Sequence, residues 1–419
     1  MTDLHLQEGS IWPRYGSHCL SNVTSTLLSI LGVENGRTKL PGDVFDGVDT
    51  GGVQNVVLFV FDGLGLNEWE RQVGEGFFGA MARNGRTTPI TSVFPSTTST
   101  ALTTLTTGLT PQEHSLIEWF MYLPEADAII QTLPFSPMDS KRSNALAKVD
   151  PEVLVTGEPV FPRLAWEDIA ARSYLSRYIS RSAYSELMHV GSEVQPYVDA
   201  ADLSVMLRKK LEGEKSSSFH YVYLSSIDTL EHAYGPGSEE SQLEAANISG
   251  TLKRGLLDTL DRKVATKTLF VLTADHGHVR TTPAETTWLE SFPYLVKSFA
   301  ENRTGSPLLP WGAPRDVYMQ VEKESLDEVC GRLTIDLAGK ATVLKTKDAV
   351  SAGVFGTGSP TRPFLQRTGN LMVLPHGKKT AWYHHPGVER PELTGQHGGM
   401  HPDEMLVPFS AARASSVLG

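Results

Sequence analysis

A chain of 419 residues, 40% hydrophobic and 20% charged, has the material for a large buried core and does not read as disordered. Its net charge is −11, and its basic residues form only isolated pairs such as Lys209-Lys210 and Lys378-Lys379, which argues against binding nucleic-acid polymers. Cys19 and Cys330 are too few for a disulfide framework, and no apolar run approaches the roughly 20 residues that cross a bilayer. Met1-Thr2-Asp3 begins without the basic start and apolar stretch of a signal peptide, so the expected location is cytoplasmic and no membrane partner is expected. If the substrate is anionic, something other than overall charge must attract it, and bound cations would serve.

In chain order, residues 1–50 mix a helical patch (Thr24 to Leu31) with Gly and Pro punctuation and read as an N-terminal extension. The main domain, over 51–419, opens on Val56-Val57-Leu58-Phe59-Val60-Phe61, a continuous β-branched and aromatic run suited to a strand covered on both faces. It ends at Asp62-Gly63, and helical spacing follows over about 67–83. A second strand-turn-helix unit runs from Ile90 through Phe94-Pro95 into a helix over about 98–107, closed by Gly108 and Pro111. Phe219 to Leu224 is a further strand, 238–262 has helical spacing, and Thr268 to Thr273 is a fourth buried strand ending at Ala274-Asp275-His276-Gly277. This alternation predicts an α/β fold with a mainly parallel central sheet and helices on both faces. Two stretches fit the rhythm poorly and read as inserted cap segments: about 125–195, and about 285–390 with short strands at Asp316 to Val321 and Leu371 to Leu374.

The ends of the predicted strands carry the chemistry, as expected of open α/β sheets. Asp62, Asp228 and the pair Asp275-His276 stand there. A lone Asp after a strand is usually a turn or cap residue; several with adjacent histidines are harder to explain as capping. Asp228 and His232, four apart, would share one face of a helix and grip the same ion. Asp275 and His276, adjacent at a turn, would diverge toward two neighbouring ions. His397 lies in Gly395-Gln396-His397-Gly398-Gly399, where the backbone can pass close to a bound group. Carboxylates mixed with imidazoles suit zinc, or manganese less often. The run Ser96-Thr97-Thr98-Ser99-Thr100 precedes an apolar helical stretch. Its hydroxyls serve either as N-caps or as a nucleophile at a helix N-terminus, where N–H groups favour a phosphoryl group.

Together these segments resemble the alkaline phosphatase superfamily, and within it the type I phosphodiesterase and nucleotide pyrophosphatase family. The matching pieces are Val60-Phe61-Asp62-Gly63, Phe94-Pro95 through Thr107-Gly108-Leu109-Thr110-Pro111 to His114, Asp228 through His232-Ala233-Tyr234-Gly235-Pro236, Thr273-Ala274-Asp275-His276-Gly277 and Gln396-His397-Gly398-Gly399. Each is weak alone; five in family order over about 62–400 are specific. The resemblance implies two divalent metal ions, one held by Asp62, Thr98, Asp275 and His276, the other by Asp228, His232 and His397. It also implies Thr98 as nucleophile, since Thr98 stands nine residues before Thr107-Gly108 as the family's nucleophile does. Thr97 and Thr100 are the substitutes. The implied reaction is in-line attack of Thr98 Oγ on phosphorus, then hydrolysis of the phosphothreonine by water.

The family's Thr-Phe-Pro-Asn is absent around the nucleophile, with Ala101 where that Asn would be, and the separate Asn of the family's His-Gly-Ile-x-x-Asn-x-x-Tyr stretch, which hydrogen-bonds a phosphoryl oxygen, falls on Trp119. Its indole would either donate in that Asn's place or pack in the core. The tail from His397 to Pro408 is also similar to phosphonoacetate hydrolases and to cofactor-independent phosphoglycerate mutases, whose serine nucleophile would point to Ser96 or Ser99. His278 is expected to support the metal ligands from outside. His114, His376, His384, His385 and His401 read as loop or supporting residues. The expected activity is hydrolysis of a phosphodiester or pyrophosphate bond in a small, nucleotide-like phosphorylated molecule. Phosphonate or phosphomonoester hydrolysis on the same two-metal site is the alternative, and a non-catalytic binding protein of the same fold is the third reading.

Overall fold

The computed structural model describes residues 6–139, 144–388, 390 and 392–418; the Met1-Thr2-Asp3 start lies outside them. A central seven-stranded sheet runs in the order Arg86–Thr91, Leu406–Arg413, Thr268–Thr273, Asn55–Phe61, Ser218–Leu224, Ala170–Ser176, Glu193–Tyr197. Asn55–Phe61 lies at its centre, fully buried along its length and parallel to both neighbours. An uninterrupted apolar run has no polar face to offer solvent, so only the interior of a sheet covered on both sides accepts it. Helices flank the sheet, and their apolar sides join one continuous core with it.

The sheet is mixed rather than wholly parallel. Leu406–Arg413 runs antiparallel between Thr268–Thr273 and Arg86–Thr91, with Pro408 facing Pro89. Two facing prolines remove two ladder donors and hide the strand from a β-propensity reading, yet every residue from Val407 to Ala412 is buried. The helical spacing over 67–83 resolves into Leu66–Gln72 and Gly76–Asn84, broken around Gly74, and that over 238–262 into Glu239–Leu252 followed by a π-helical turn, Lys253–Leu257.

The stretches that broke the α/β rhythm have two destinations. Ala170–Ser176 and Glu193–Tyr197 belong to the central sheet, whereas Ala128–Gln131 and Ser136–Pro137 belong to a second, antiparallel seven-stranded sheet. That sheet is completed by Phe120–Leu123, Trp311–Ala313, Asp316–Met319, Leu371–Pro375 and Ala341–Lys345, and one of its faces closes over a separate small core around Leu333 and Trp382. Residues 6–50 are not loosely attached: Val23–Ile30 buries its apolar side in the main core, and Thr24 Oγ1 donates to Leu105 O at 2.5 Å. Among the described residues no helix is long and apolar enough to cross a membrane.

Candidate active site

The parallel strands deliver their carboxyl ends to one edge of the sheet, and the singled-out residues meet there. Asp62 directly follows Asn55–Phe61, and Asp275-His276 follow Thr268–Thr273 after one residue. Asp228 and His232 lie on one face of the helix Ser226–Tyr234. His397 follows the short strand Gly395–Gln396, and Thr98 is the first residue of the helix Thr98–Thr107. Gly63 permits the turn after Asp62: its φ is +76°, and a Cβ there would come within 3.0 Å of Asp228 Cα.

Two overlapping groups of ligand atoms result. Asp62, Asp275 and His276 bring ligand atoms within 4.8 Å of one another, and so do Asp228, His276, His278 and His397. His276 Nε2 is 3.5 Å from Asp62 Oδ1 and 3.4 Å from Asp275 Oδ2. His232 Nε2 lies 3.4 Å from Asp228 Oδ1 and 3.2 Å from His397 Nε2. The rings of His276 and His397 stack at 3.6 Å.

Hydrogen bonds outside the cluster orient the imidazoles. His232 Nδ1 donates to Gly395 O at 2.8 Å, His397 Nδ1 to Ser96 O at 3.1 Å, and His276 Nδ1 to Gly277 O at 3.2 Å. Carbonyls only accept, so each Nδ1 carries a hydrogen, and in the neutral form of each ring Nε2 is a lone pair pointing inward. The lone pairs of His232 and His397 thus face each other at 3.2 Å. Asp62 Oδ1 and Asp275 Oδ2, both buried, have no hydrogen-bond partner among the described residues. Facing lone pairs and orphaned carboxylate oxygens are costly in a protein interior unless something positive lies between them. The donor set therefore fits divalent cations, with the mixed oxygen and nitrogen character of a zinc or manganese site.

The electrostatics agree. Burial, then the Asp228 and Asp275 charges, push the Asp62 carboxyl well above the usual range, and burial carries Asp275 up to about 7. Burial also pushes Asp228 up, but His232, His278 and His397 outweigh it and hold that carboxyl below its ordinary value. Burial lowers His276 to about 3 and, with the neighbouring imidazoles, His397 well below its ordinary value, which keeps both rings neutral and able to ligate.

Thr98 stands apart in its hydroxyl stretch. Ser96 Oγ donates to Gly399 O at 2.9 Å, Thr97 and Thr100 hydrogen-bond each other at 3.0 Å, and Ser99 is fully buried. Thr98 alone of the five is only partly buried, and its Oγ1 lies 3.0 Å from His276 Nε2. It opens, with Asp62 and Asp228, onto a cavity of about 330 Å³. Trp119 stands in the wall of that cavity, 38% exposed, rather than in the core.

Several neighbours were beyond sequence reasoning or only half seen. His278 comes as near the cluster as its ligands do, with Nε2 2.8 Å from Asp228 Oδ1. Tyr223 donates its hydroxyl to Asp62 Oδ2; its only signal was a polar tip one residue from the end of its strand. Three of the other histidines are structural: His114 Nδ1 accepts from Leu116 N at 3.2 Å, His385 bonds Pro310 O, and His401 caps the helix Pro402–Met405.

Comparison with known proteins points the same way. The family model "Type I phosphodiesterase / nucleotide pyrophosphatase" matches residues 56–400. Among solved structures, murine ectonucleotide pyrophosphatase/phosphodiesterase 5 superposes with a TM-score of 0.62 at 17% identity, covering 86% of this chain and 88% of that chain. An inactive threonine-to-alanine variant of the murine protein, in complex with AMP, gives the same TM-score of 0.62 and 17% identity over 86% and 88% of the two chains. The human counterpart gives 0.60 at 16% identity, again over 86% and 88% of the two chains. At such identities the structural likeness carries the fold alone. A search of curated proteins found no match. The family-model match, which spans most of the sequence and all the converging residues, decides the family: the chain belongs to the type I phosphodiesterase/nucleotide pyrophosphatase family, whose hydrolases are of the phosphodiesterase and pyrophosphatase type.

Proposed function

We propose that this chain hydrolyses a phosphodiester or pyrophosphate bond of a small molecule through a covalent phosphothreonine on Thr98, using two divalent cations, zinc first and manganese second. The observation that carries this reading is the position of Thr98. It is the one accessible hydroxyl of its stretch, it stands against His276 Nε2, and it opens onto the cavity that holds Trp119. Asp62, Thr98, Asp275 and His276 would hold one cation, and Asp228, His232 and His397 the other. When bound, the cations supply Lewis acidity that lowers the hydroxyl pKa and neutralises charge on the phosphoryl group. Thr98 Oγ forms its bond to phosphorus as the bond to the leaving oxygen breaks. Placed at the first turn of its helix, Thr98 keeps the phosphoryl oxygens near free backbone N–H groups. Tyr223 and His278 hold the Asp62 and Asp228 carboxylates in place. Water then attacks the phosphothreonine and frees Thr98.

The cavity narrows the substrate. Trp119, Leu133, Pro134, Leu175, Tyr178 and Ile179 make its wall largely apolar, and no lysine or arginine among the described residues lines it. Among the described residues a second charged phosphate would find no cationic partner there, so the group carried on phosphorus is read as uncharged and partly apolar. This favours a diester over a polyphosphate or monoester. The protein should be reconstituted with zinc or manganese and given bis-p-nitrophenyl phosphate, p-nitrophenyl phosphate and phosphonoacetate. The diester is expected to show the highest kcat/KM. A preference for the monoester or the phosphonate would overturn this choice, and no turnover by metal-loaded protein would favour a binding role instead.

A further inference from the structure

The inner part of the cavity is not featureless. His189 lines it, almost fully buried, with its ring stacked on Phe161 and tilted against Tyr221, each at a centroid distance of 5.4 Å. Its Nδ1 edge is engaged elsewhere. Nδ1 is 2.9 Å from Ser173 Oγ, Ser173 Oγ is 2.8 Å from Ser192 Oγ, and Ser192 Oγ is 2.8 Å from the backbone carbonyl of His189. These contacts need one hydrogen each. The carbonyl can only accept, so Ser192 donates to it; Ser173 must then donate to Ser192; and only a hydrogen on Nδ1 can fill the contact between Ser173 and the ring. Burial holds the imidazole down to about 3, so it stays neutral at ordinary pH. Nε2 is therefore a bare lone pair. Nothing among the described residues hydrogen-bonds it, yet it is not one of the fully enclosed polar atoms without a partner, so Nε2 keeps accessible surface and, on a ring that lines the cavity, opens toward it.

We infer that His189 is a specificity-determining hydrogen-bond acceptor, and that the uncharged group carried on phosphorus bears an O–H or N–H donor that reaches Nε2. This rests on the reading that the cavity beside Thr98 receives that group. A buried acceptor in an apolar wall discriminates strongly, because a ligand without the donor strips water from Nε2 and offers nothing back. Ser173 acts through His189 as a positioning residue, since it alone accepts from Nδ1.

The test reads binding, not turnover, so it stays legible even if the metal-loaded wild type hydrolyses no diester. Thr98→Ala protein, loaded with zinc, is titrated calorimetrically with aryl phosphates carrying a hydroxymethyl group in the meta or para position, each paired with its O-methyl ether. At least one hydroxymethyl ester is expected to bind about tenfold more tightly than its ether. That ratio should fall toward one when His189→Phe is added, a change that keeps a flat ring packed against Phe161 and Tyr221. In parallel, nitrogen-15 NMR of the histidine side chains should show His189 protonated at Nδ1 and bare at Nε2, with a mixture of tautomers in Ser173→Ala. Equal binding of every pair, or a His189 protonated at Nε2, would overturn the inference. Should His189→Phe fail to fold, the paired affinities and the tautomer still decide it.

Discussion

The carboxylate–imidazole cluster and the cavity beside it share Asp62, Asp228 and Thr98, yet they obey opposite physics. The cluster concentrates Asp62, Asp228 and Asp275 with four imidazoles in a buried place and leaves carboxylate oxygens without partners. In isolation that arrangement opposes folding, and a cation repays it. Among the described residues the wall of the cavity carries no charge of its own beyond the shared carboxylates, and hydrogen bonds such as the chain from Ser192 to His189 run within it. One region spends stability to bind; the other discriminates by what it refuses to solvate. Changes in the first should move rate and metal dependence, and changes in the second should move substrate choice.

The sharpest break would come at Thr98. Thr98→Ala should lower diester turnover roughly 10³-fold or more while leaving the melting temperature nearly unchanged, because among the described residues its hydroxyl hydrogen-bonds only His276. Activity close to wild type would move the nucleophile elsewhere in the stretch.

A second prediction concerns pH and a buried pair behind the site. Burial carries the Glu118 carboxyl from 4.5 up to about 8, and Asp316, also buried and facing it, is pushed well above the usual range. A raised folded-state value means that the unfolded chain ionises first. Stability should therefore be fully present near pH 4.5 and be lost as pH rises through about 8, by a few kcal/mol. Urea denaturation across pH 5 to 9 measures this, and Glu118→Gln should flatten the profile; an unchanged slope would remove Glu118 as its source.

On the cavity side, Trp119→Ala should reduce kcat/KM for an aryl diester about tenfold, mainly through KM, since a half-exposed ring contributes contact rather than fold. A fall confined to kcat would instead make Trp119 a partner of the reacting group. The smallest effect tests the cluster's cost directly. In chelator-treated protein, Asp275→Asn should raise stability by on the order of 1 kcal/mol, because Oδ1 keeps its bonds from Gly63 N and His276 N while the orphaned Oδ2 becomes a donor facing Asp62. The same variant should lose activity when metal is restored. A loss of stability in the metal-free state would show that the carboxylates are not in conflict.

Legibility followed the length scale of the interaction. Asn55–Phe61, Ser218–Leu224, Thr268–Thr273 and the helix Thr98–Thr107 were readable because continuous burial or a Gly108 stop writes itself into neighbouring residues. Leu406–Arg413 was not: Pro408 argues against a strand, and only its two neighbours in the sheet make it one. Of the second sheet, the strands Asp316–Met319 and Leu371–Pro375 were legible, but their assembly was not, since Phe120–Leu123 pairs with Trp311–Ala313 across almost two hundred residues and these short strands show no period. Within the site, spacing brought Asp228 and His232 to one helical face, but no spacing could show that Tyr223 reaches Asp62 or that His278 reaches Asp228.

By itself, then, the sequence determined the chemical types at the strand ends, their order along the chain and the class of reaction they suit. Those are properties of local runs and of residues that no other role explains as well. Only the tertiary structure decided which hydroxyl of Ser96 to Thr100 stays accessible, that Trp119 faces a cavity, and that His189 presents a bare nitrogen to it. Accessibility and tautomer depend on what packs against a group from distant segments, and that information belongs to no single stretch of chain.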